Sequence, residues 1–308
     1  MSEELILDGL RIRYKIMSVK RLQALQNDID KLEQEGKISQ NKVLRYYIGN
    51  FKFDLPENFP NAKSIIVVAR ENKLAKACFH YNGSKIDVMI PPNYCQKEDM
   101  NEKVSKLILE KVIMEPGYKI EPTRSLHLKL LHVRSGLGRY GRNNICYVDE
   151  FGSLAQLYCF FTDYEFEEVS WEETKMLDRC ENCTICIDKC PTKAISKDNF
   201  VIDVERCLPL YNEIQGEFPD WITPDAHNAL MGCMKCQMFC PENKIAMKNF
   251  ERLEDITEEE TIILLEGKGD EKIINRIGKK LRMFDSKTVE YYLPVLKRNL
   301  EVLIKTKF

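Results

Sequence analysis

The hydrophobic pattern of the N-terminal half alternates between helical and strand-like spacing. Apolar side chains recur at helical spacing from Leu22 to Leu32, and the run stops at Gly36. A continuous β-branched run from Ile65 to Val68 is instead typical of a strand that is buried on both faces. Asn82-Gly83 lies between two strand-like segments and predicts a β-hairpin. These periods predict an α+β fold in which a mixed sheet packs with helices.

Four regions are predicted from the way in which the pattern changes along the chain. Residues 1–60 are expected to form an N-terminal helical segment that packs on the core, and residues 61–170 an α+β domain. Residues 171–250 hold most of the cysteines, and residues 251–308 are expected to form C-terminal helices. An acidic linker separates the second region from the third.

Composition and charge narrow the function classes. The 308 residues are 44% hydrophobic and 31% charged, with a formal net charge of −2, so no bulk positive charge points to nucleic-acid binding. No apolar run approaches the roughly 18 residues that span a bilayer. The N-terminal residues lack the basic and apolar regions of a secretory signal. Twelve cysteines without an export signal favour a cytoplasmic location and metal ligation over disulfides, and no membrane partner is expected.

Eight of the cysteines are concentrated between residues 180 and 240. The first four are separated by two, two and three intervening residues and are followed by Pro191, which is the run that bacterial two-cluster ferredoxins use. The second group repeats this run without its first cysteine, and the isolated Cys207 precedes it. Because two [4Fe-4S] clusters need eight thiolates, the cysteine number matches a double-cluster module. A pair of structural zinc sites is the alternative, since zinc also binds Cys-x2-Cys motifs.

A crossed arrangement uses every one of these eight cysteines. In such runs the fourth cysteine of each motif ligates the other cluster. Cluster one would then be held by Cys180, Cys183, Cys186 and Cys240. Cluster two would be held by Cys190, Cys207, Cys233 and Cys236, with Cys207 in the place of the missing member.

A glycine-rich loop from Gly136 to Asn144 separates a predicted helix from a predicted strand. It contains G-x-G-x-x-G, but dinucleotide-binding folds place that motif after a strand and before a helix, so no NAD site is predicted. The loop backbone is suited to the close approach of a large flat ligand. The alternative is a tight turn whose glycines adopt left-handed conformations.

Taken together, these segments resemble the epoxyqueuosine reductases and their reductive-dehalogenase relatives. The resemblance covers residues 60–243 and is carried by AKSIIVVA, RSGLGRYGRNN, FGS, FFTD, CENCTICIDKCPTKAI, ERCLPLY and GCMKCQMFCPEN. It implies that the 61–170 domain binds cobalamin as a base-off corrinoid and is joined to a bacterial ferredoxin-like double [4Fe-4S] module and a short helical C-terminus. It also implies that a ferredoxin or flavodoxin reduces the clusters, which reduce the corrinoid for a reductive elimination on the substrate.

The resemblance assigns roles to residues outside the cysteine region. The residues that match corrin-contacting segments of the family are Arg134, Ser135, Gly136, Leu137, Gly138, Gly141, Arg142, Asn143, Asn144, Phe151, Gly152 and Ser153. Glu121 stands one position from the place of the family's proposed proton donor, and Tyr140 is similar to tyrosines that donate a proton in the dehalogenase relatives. A solvated glutamate and a packed loop tyrosine are the alternatives to these catalytic roles.

Two departures from the family pattern bear on the substrate. The segment PPNYCQKEDM replaces the basic and aromatic segment that lies near tRNA in epoxyqueuosine reductases, and residues 251–308 leave room only for short helices. We therefore expect a small-molecule or nucleoside-like substrate, with tRNA disfavoured. The predicted function is a cobalamin-dependent iron–sulfur reductase. The alternative is an iron–sulfur electron-transfer protein that reduces a corrinoid or another acceptor on a partner protein.

Overall fold

The computed structural model describes residues 3–95, 100–167 and 169–306. Its strands are β1 (Glu3–Leu7), β2 (Leu10–Ser18), β3 (Ser64–Arg70), β4 (Leu74–Tyr81), β5 (Ser84–Ile90), β6 (Ile120–Pro122), β7 (Arg139–Tyr140), β8 (Cys146–Tyr147), β9 (Gln156–Thr162) and β10 (Phe250–Arg252). Its α-helices are α1 (Leu22–Gln34), α2 (Lys42–Gly49), α3 (Met100–Ile108), α4 (Leu128–Arg134), α5 (Ile185–Lys189), α6 (Pro209–Asn212), α7 (Lys235–Met238), α8 (Glu258–Glu266), α9 (Glu271–Leu281) and α10 (Val289–Lys305). Helices and strands are mixed along the chain, so the predicted α+β class is confirmed.

The chain forms two compact units. The first consists of Met1–Asn72, Glu98–Cys183 and Lys197–Val201, and the second of Lys73–Lys97, Thr184–Ser196 and Ile202–Phe308. These boundaries differ from the predicted regions, because β4 and β5 belong to the second unit and the cysteine region is divided between the two. No described helix combines the length and apolar character needed to cross a lipid bilayer.

A five-stranded sheet in the order β1-β2-β3-β9-β6 forms the centre of the first unit. All of its pairs are antiparallel. In β3, Ile65 and Val67 pack into one apolar core while Ile66 and Val68 pack into another on the opposite face. Both faces of β3 are therefore buried, which explains its continuous apolar run and confirms the predicted strand.

The N-terminal segment contains two strands that the sequence interpretation missed. β1 and β2 precede the predicted helix α1 and extend the sheet at β3. β2 alternates in the two-residue period of a strand. Ile12 and Tyr14 are buried on one face, and Arg11 and Arg13 on the other face are partly exposed. Each of these arginines donates to the Glu150 carboxylate at 2.6 Å. The expectation of a purely helical segment over residues 1–60 is wrong for this reason.

The second unit contains the predicted hairpin. β4 pairs antiparallel with β5 and parallel with β10, so parallel pairing occurs in this small sheet rather than in the central one. Asn82 and Gly83 have φ angles of 49° and 71°, both positive as a two-residue type I′ turn requires. Apolar side chains of the sheet, including Phe79, pack with residues of α8, α9 and α10 in one core.

Candidate functional site

Four cysteines of the predicted module share one apolar cluster within the second unit. Cys186 and Cys190 are buried there beside Ala194 and Ile195, and Cys207 and Cys236 pack against the same cluster. The short helices α5 and α7, which contain Cys186 and Cys236, contact each other. The structure therefore brings together cysteines that are far apart in the sequence.

The surroundings of Cys233 include the Cys190 thiol and the Asn228 side chain. Burial raises the pKa of the Cys233 thiol, and the nearby Cys190 thiol adds to the rise. The Asn228 side-chain amide donates to Cys233 Sγ at 3.1 Å, and the Ala194 backbone N–H donates to Cys190 Sγ at 3.2 Å. Donors aimed at sulfur are what an iron–sulfur cluster needs, because they stabilise thiolate charge and tune the cluster potential. Cys186, which the prediction assigns to cluster one, shares the apolar cluster with Cys190, Cys207 and Cys236, whereas Cys233 packs against Leu208, Ile222 and Ala226. The division of ligands between the two clusters therefore stays a prediction.

A buried amide network holds the segments that carry Cys207 and Cys233. The Asn212 side chain donates to the Gly232 carbonyl at 2.6 Å and accepts from the Gly232 N–H at 3.0 Å. The Asn299 side chain in α10 donates to the carbonyls of Asn212 and Leu230 at 2.8 and 2.9 Å. Sequence reasoning missed these asparagines, since no spacing or motif signals a side chain that satisfies distant backbone groups.

The predicted ligands of cluster one are divided between the units. Cys180 and Cys183 belong to the first unit, and Cys186 and Cys240 belong to the second. Within the first unit, Arg142 donates to the carbonyl oxygen of Cys180. The ligand set of cluster one stays a prediction. No disulfide joins any of the twelve cysteines, all of which lie in the part of the chain that the structure describes.

The glycines of the loop between α4 and β8 are packed against the protein's own hairpin. A Cβ atom on Gly138 would lie 2.5 Å from Cys146 Sγ, and one on Gly141 would lie 2.5 Å from the Tyr147 ring. Gly136 ends the helical turn with a φ of 74°. Close internal packing therefore favours glycine at positions 138 and 141, which do not have positive φ angles. The left-handed conformation of the alternative is found at Gly136 alone among these three glycines.

The polar side chains of the same loop are mainly engaged inside the first unit. Arg134 binds Asp28 through two hydrogen bonds of 2.5 and 2.8 Å and stacks over Trp171. Asn143 donates to the Tyr147 hydroxyl at 2.9 Å. Only Arg142 Nε and Asn143 Oδ1 are buried without a hydrogen-bond partner among the described residues of this loop. Two buried polar atoms without a partner are few for the recognition of a ligand as large as a corrin.

The other residues predicted to contact a corrin also have local roles. Ser135 is buried and donates to the His132 carbonyl at 3.0 Å. Phe151 is buried beneath the guanidinium groups of Arg11 and Arg13, 4.9 and 4.8 Å from the ring centroid. Leu137 is buried in the core beside it, Asn144 and Gly152 adopt positive φ angles, and Ser153 is partly buried. These local roles do not test whether the same residues contact a corrin.

The two predicted proton donors lie in different environments of the first unit. The Tyr140 side chain is buried and its ring meets Phe200 edge-on at 5.0 Å. Burial raises the pKa of the Tyr140 hydroxyl, and the nearby Cys146 thiol adds to that rise. Glu121 is exposed on the edge strand β6, where its backbone is paired with Phe161. Both catalytic roles stay predictions.

Comparison with known proteins identifies the cysteine region first. Residues 179–243 match the family model described as a 4Fe-4S double cluster binding domain. The double-cluster prediction is thereby confirmed, and the zinc alternative is not favoured.

Sequence similarity extends well beyond that region. The chain is 27% identical over 225 residues to an epoxyqueuosine reductase of Bacillus cereus, which covers 69% of this chain and 58% of that relative. It is 23% identical over 309 residues to an epoxyqueuosine reductase of Cellulophaga algicola, covering 96% of this chain and 95% of that relative. The chain thus spans less than two thirds of the Bacillus cereus protein.

The fold is shared with solved structures. A crystal structure of epoxyqueuosine reductase with an epoxyqueuosine-modified tRNA-Tyr stem loop matches with a TM-score of 0.61 at 19% identity, covering 94% of this chain and 76% of that chain. This neighbour confirms the α+β architecture. The assignment of the 61–170 region as a cobalamin-binding domain is not confirmed.

These findings correct the function expected from the sequence. The relatives are named epoxyqueuosine reductases, and one solved epoxyqueuosine reductase carries an epoxyqueuosine-modified tRNA stem loop. They point away from a cobalamin-dependent corrinoid reductase and from a carrier that reduces a corrinoid on a partner. The argument against tRNA rested partly on the segment PPNYCQKEDM, of which residues 96–99 lie outside the described residues.

Proposed function

We propose that this chain, which belongs to the epoxyqueuosine reductase-like family, is an iron–sulfur oxidoreductase that acts in the queuosine modification of tRNA. The observation that carries the proposal is the packing of Cys186, Cys190, Cys207 and Cys236 in one apolar cluster of the second unit, inside a region that matches a double-cluster domain. Similarity along nearly the whole chain to one epoxyqueuosine reductase supports the substrate class.

The eight cysteines are proposed to hold two [4Fe-4S] clusters in the crossed arrangement. Cluster two is bound by Cys190, Cys207, Cys233 and Cys236, all of which belong to the second unit. Cluster one is bound by Cys180, Cys183, Cys186 and Cys240, an assignment that rests on their spacing in the sequence. N–H donors to the sulfurs of Cys190 and Cys233 stabilise the reduced state of cluster two.

The proposed substrate is an epoxyqueuosine-modified tRNA stem loop. Reductive removal of the epoxide oxygen as water consumes two electrons and two protons and leaves a carbon–carbon double bond. Two clusters that each carry one electron store the two electrons required. A ferredoxin or flavodoxin is the proposed donor, since these proteins deliver electrons singly.

Glu121 and Tyr140 are the proposed sources of protons. Exposure of Glu121 at a sheet edge keeps it accessible, whereas the raised pKa of Tyr140 makes its hydroxyl a weaker acid. Replacing a general acid in such a reaction slows the chemical step about 100-fold or more. Glu121→Gln is expected to slow single-turnover reduction by this amount, and Tyr140→Phe to slow it less. If neither change alters the rate, the proton comes from another group.

A single-turnover assay tests the proposal. Protein purified without oxygen is expected to contain about eight irons per chain. After chemical reduction it is mixed with an epoxyqueuosine-containing stem loop, with and without added cobalamin, and the nucleoside is analysed by mass spectrometry. Loss of one oxygen atom is expected from reduced protein and not from oxidised protein.

The outcomes separate the parts of the proposal. About four irons would contradict the two-cluster assignment. A full complement of iron without conversion in either cobalamin arm would contradict the tRNA substrate. Replacement of the chemical reductant by reduced flavodoxin or ferredoxin tests the donor, because neither carrier would support turnover if a different protein supplies the electrons.

A further inference from the structure

Two potential metal ligands lie on β4, far along the sequence from the predicted cluster cysteines. Ala77 and Phe79 of this strand point into the apolar core of the second unit. Because side chains alternate along a strand, Cys78 and His80 share the opposite face. Cys78 is only 1% exposed, so its thiol is covered on that face as well.

Backbone pairing brings a carboxylate to the same place. The Ile256 N–H donates to the Cys78 carbonyl at 2.8 Å, and the His80 N–H donates to the Ile256 carbonyl at 3.0 Å. Ile256 is thereby fixed beside Phe79 in a parallel bridge. The preceding residue, Asp255, is held next to β4, and its Oδ2 lies 3.0 Å from His80 Nε2.

The three side chains offer a thiolate, an imidazole and a carboxylate at one point. One ligand atom from each of Cys78, His80 and Asp255 lies within 4.8 Å of the other two. Ligand atoms of a tetrahedral zinc site are roughly 3.5 Å apart, so side-chain shifts of about 1 Å would close the triangle. We propose that Cys78, His80 and Asp255 form a binding site for one Zn²⁺-like transition-metal ion, separate from the iron–sulfur module.

The donor set selects the class of metal. Sulfur and nitrogen ligands disfavour Mg²⁺ and Ca²⁺, which prefer all-oxygen sites. A single thiolate is too few for a [4Fe-4S] cluster. Three protein ligands that leave a fourth position open are typical of exchangeable or catalytic zinc. The His80 and Asp255 side chains are 33% and 44% exposed, so water can reach that position.

Two cations near Asp255, Lys280 and Arg252, form their ion pairs with other carboxylates. Lys280 Nζ donates to the backbone carbonyl of Asp255 at 3.0 Å and to the buried Glu260 carboxylate at 2.8 Å. Arg252 pairs with Asp87 at 3.2 Å on the same sheet. These contacts fix the backbone of Asp255 and give both cations other carboxylate partners. A metal here would tie β4 to the segment that leads into α8.

Zinc binding by the iron-loaded protein tests the site. Protein that contains about eight irons per chain is incubated with equimolar Zn²⁺ without oxygen, desalted and analysed for both metals. One zinc per chain is expected in addition to the iron. Zinc K-edge absorption, to which iron does not contribute, is expected to show one sulfur at about 2.3 Å and lighter ligands at about 2.0 Å.

Three variants decide whether these residues bind the zinc. Asp255→Asn, at an exposed position, is expected to weaken zinc binding about tenfold or more in a chelator competition. Cys78→Ser is expected to remove the sulfur from the zinc spectrum. Asp220→Asn, at an exposed position of the second unit outside β4, β5 and β10, is the control and keeps the wild-type affinity. The proposal is overturned if iron-loaded protein retains no zinc, if the zinc has a four-sulfur shell, or if Asp255→Asn binds as tightly as Asp220→Asn.

Discussion

Cys207 shows what a single residue contributes to the cysteine region. Its spacing matches no motif, and it was assigned to cluster two only because eight thiolates were needed. The structure packs it against the cluster that contains Cys190 and Cys236, at the end of a short turn formed by Val204–Arg206. Cys186, assigned to cluster one, lies in the same apolar cluster, so the assignment of Cys207 to cluster two stays a prediction. Nothing in the local sequence indicates the fold that places Cys207 there.

Replacement of Cys207 tests the ligand assignment. Cys207→Ser removes one of four thiolates, so cluster two is expected to be lost and the iron content to fall from about eight to about four per chain. Cys159→Ser is the control, because Cys159 is buried in β9 of the first unit. Iron and sulfide analysis of proteins purified without oxygen gives the result. Eight irons in Cys207→Ser would show that another group completes the site.

Gly138 shows where residue-level reasoning from sequence was ambiguous. Three glycines in six residues fit either a cofactor cradle or a tight turn, and the difference depends on what lies above each Cα atom. In the structure, the nearest atoms to a Cβ on Gly138 are Cys146 Sγ at 2.5 Å and the Tyr147 carbonyl oxygen at 3.0 Å. The glycine spacing alone does not show that the loop folds back on β8, which supplies these contacts.

Substitution of Gly138 by alanine tests the packing role directly. The clash with Cys146 and the Tyr147 backbone is expected to destabilise the first unit by about 1–3 kcal/mol. Such a loss lowers the thermal midpoint by several degrees, at roughly 2–4 °C per kcal/mol. Gly49→Ala is the control, since a Cβ there meets no atom within 4 Å. An unchanged midpoint for Gly138→Ala, without any added ligand, would contradict internal packing as the reason for this glycine.

At the scale of elements, local periodicity predicted most strands and helices but not their ends. α1, β3 and the β4–β5 hairpin lie where the apolar pattern placed them. Helix α3 continues into a π-helical turn at Leu109–Ile113, which ends in a left-handed Met114. β2 was missed although its charged residues alternate with apolar ones, which is itself the pattern of a strand.

The start of α4 gives a pH-dependent prediction. His127 Nδ1 accepts a hydrogen bond from the Leu130 N–H at 3.1 Å, and burial, with help from Lys129, lowers the pKa of His127 from 6.5 to about 3. The unfolded chain therefore binds a proton below about pH 6.5 that the folded chain does not. This contribution to stability is complete above pH 6.5 and is lost as the pH falls toward 3, by up to about 1.4 kcal/mol per pH unit.

His127→Asn separates the cap from the titration. Asparagine retains an acceptor at the helix start but does not titrate. Between pH 7 and pH 5.5, the thermal midpoint at fixed scan rate is expected to fall more for the wild type than for His127→Asn. His132, which is buried between the carbonyls of Leu128 and Val68, is present in both proteins and cancels in the comparison. Equal slopes for the two proteins would contradict a buried neutral His127.

At the scale of the whole molecule, long-range pairing produces what sequence patterns did not show. The predicted regions were continuous, whereas the second unit joins 73–97 to segments more than a hundred residues later. The cause is the pairing of β10 with β4 and the core that this sheet shares with α8, α9 and α10. Such pairings depend on which surfaces become buried together, and a single sequence does not record that. The chemistry of the cysteines, which depends on spacing, was predictable; the scaffold was not.

The amide network of the second unit connects that scaffold to the cysteines. Asn299 in α10 donates to the carbonyls of Asn212 and Leu230, and Asn212 in turn binds Gly232, next to Cys233. Asn299→Ala leaves two buried carbonyls without these donors, at a cost of about 1–3 kcal/mol for each unsatisfied group. We expect the segments that hold Cys207 and Cys233 to loosen and cluster two to lose iron faster than cluster one.

Release of iron to a chelator measures this effect. Asn299→Ala is expected to show a fast phase that accounts for about half of the iron, while the other half leaves at the wild-type rate, because each cluster contains four of the eight irons. Asn275→Ala in α9 is the matched control, since the Asn275 Oδ1 atom is buried without a partner among the described residues and its removal breaks no hydrogen bond of that atom. A uniform acceleration of all the iron would mean that the network stabilises the unit as a whole. Identical release from Asn299→Ala and Asn275→Ala would show that cluster two does not depend on it.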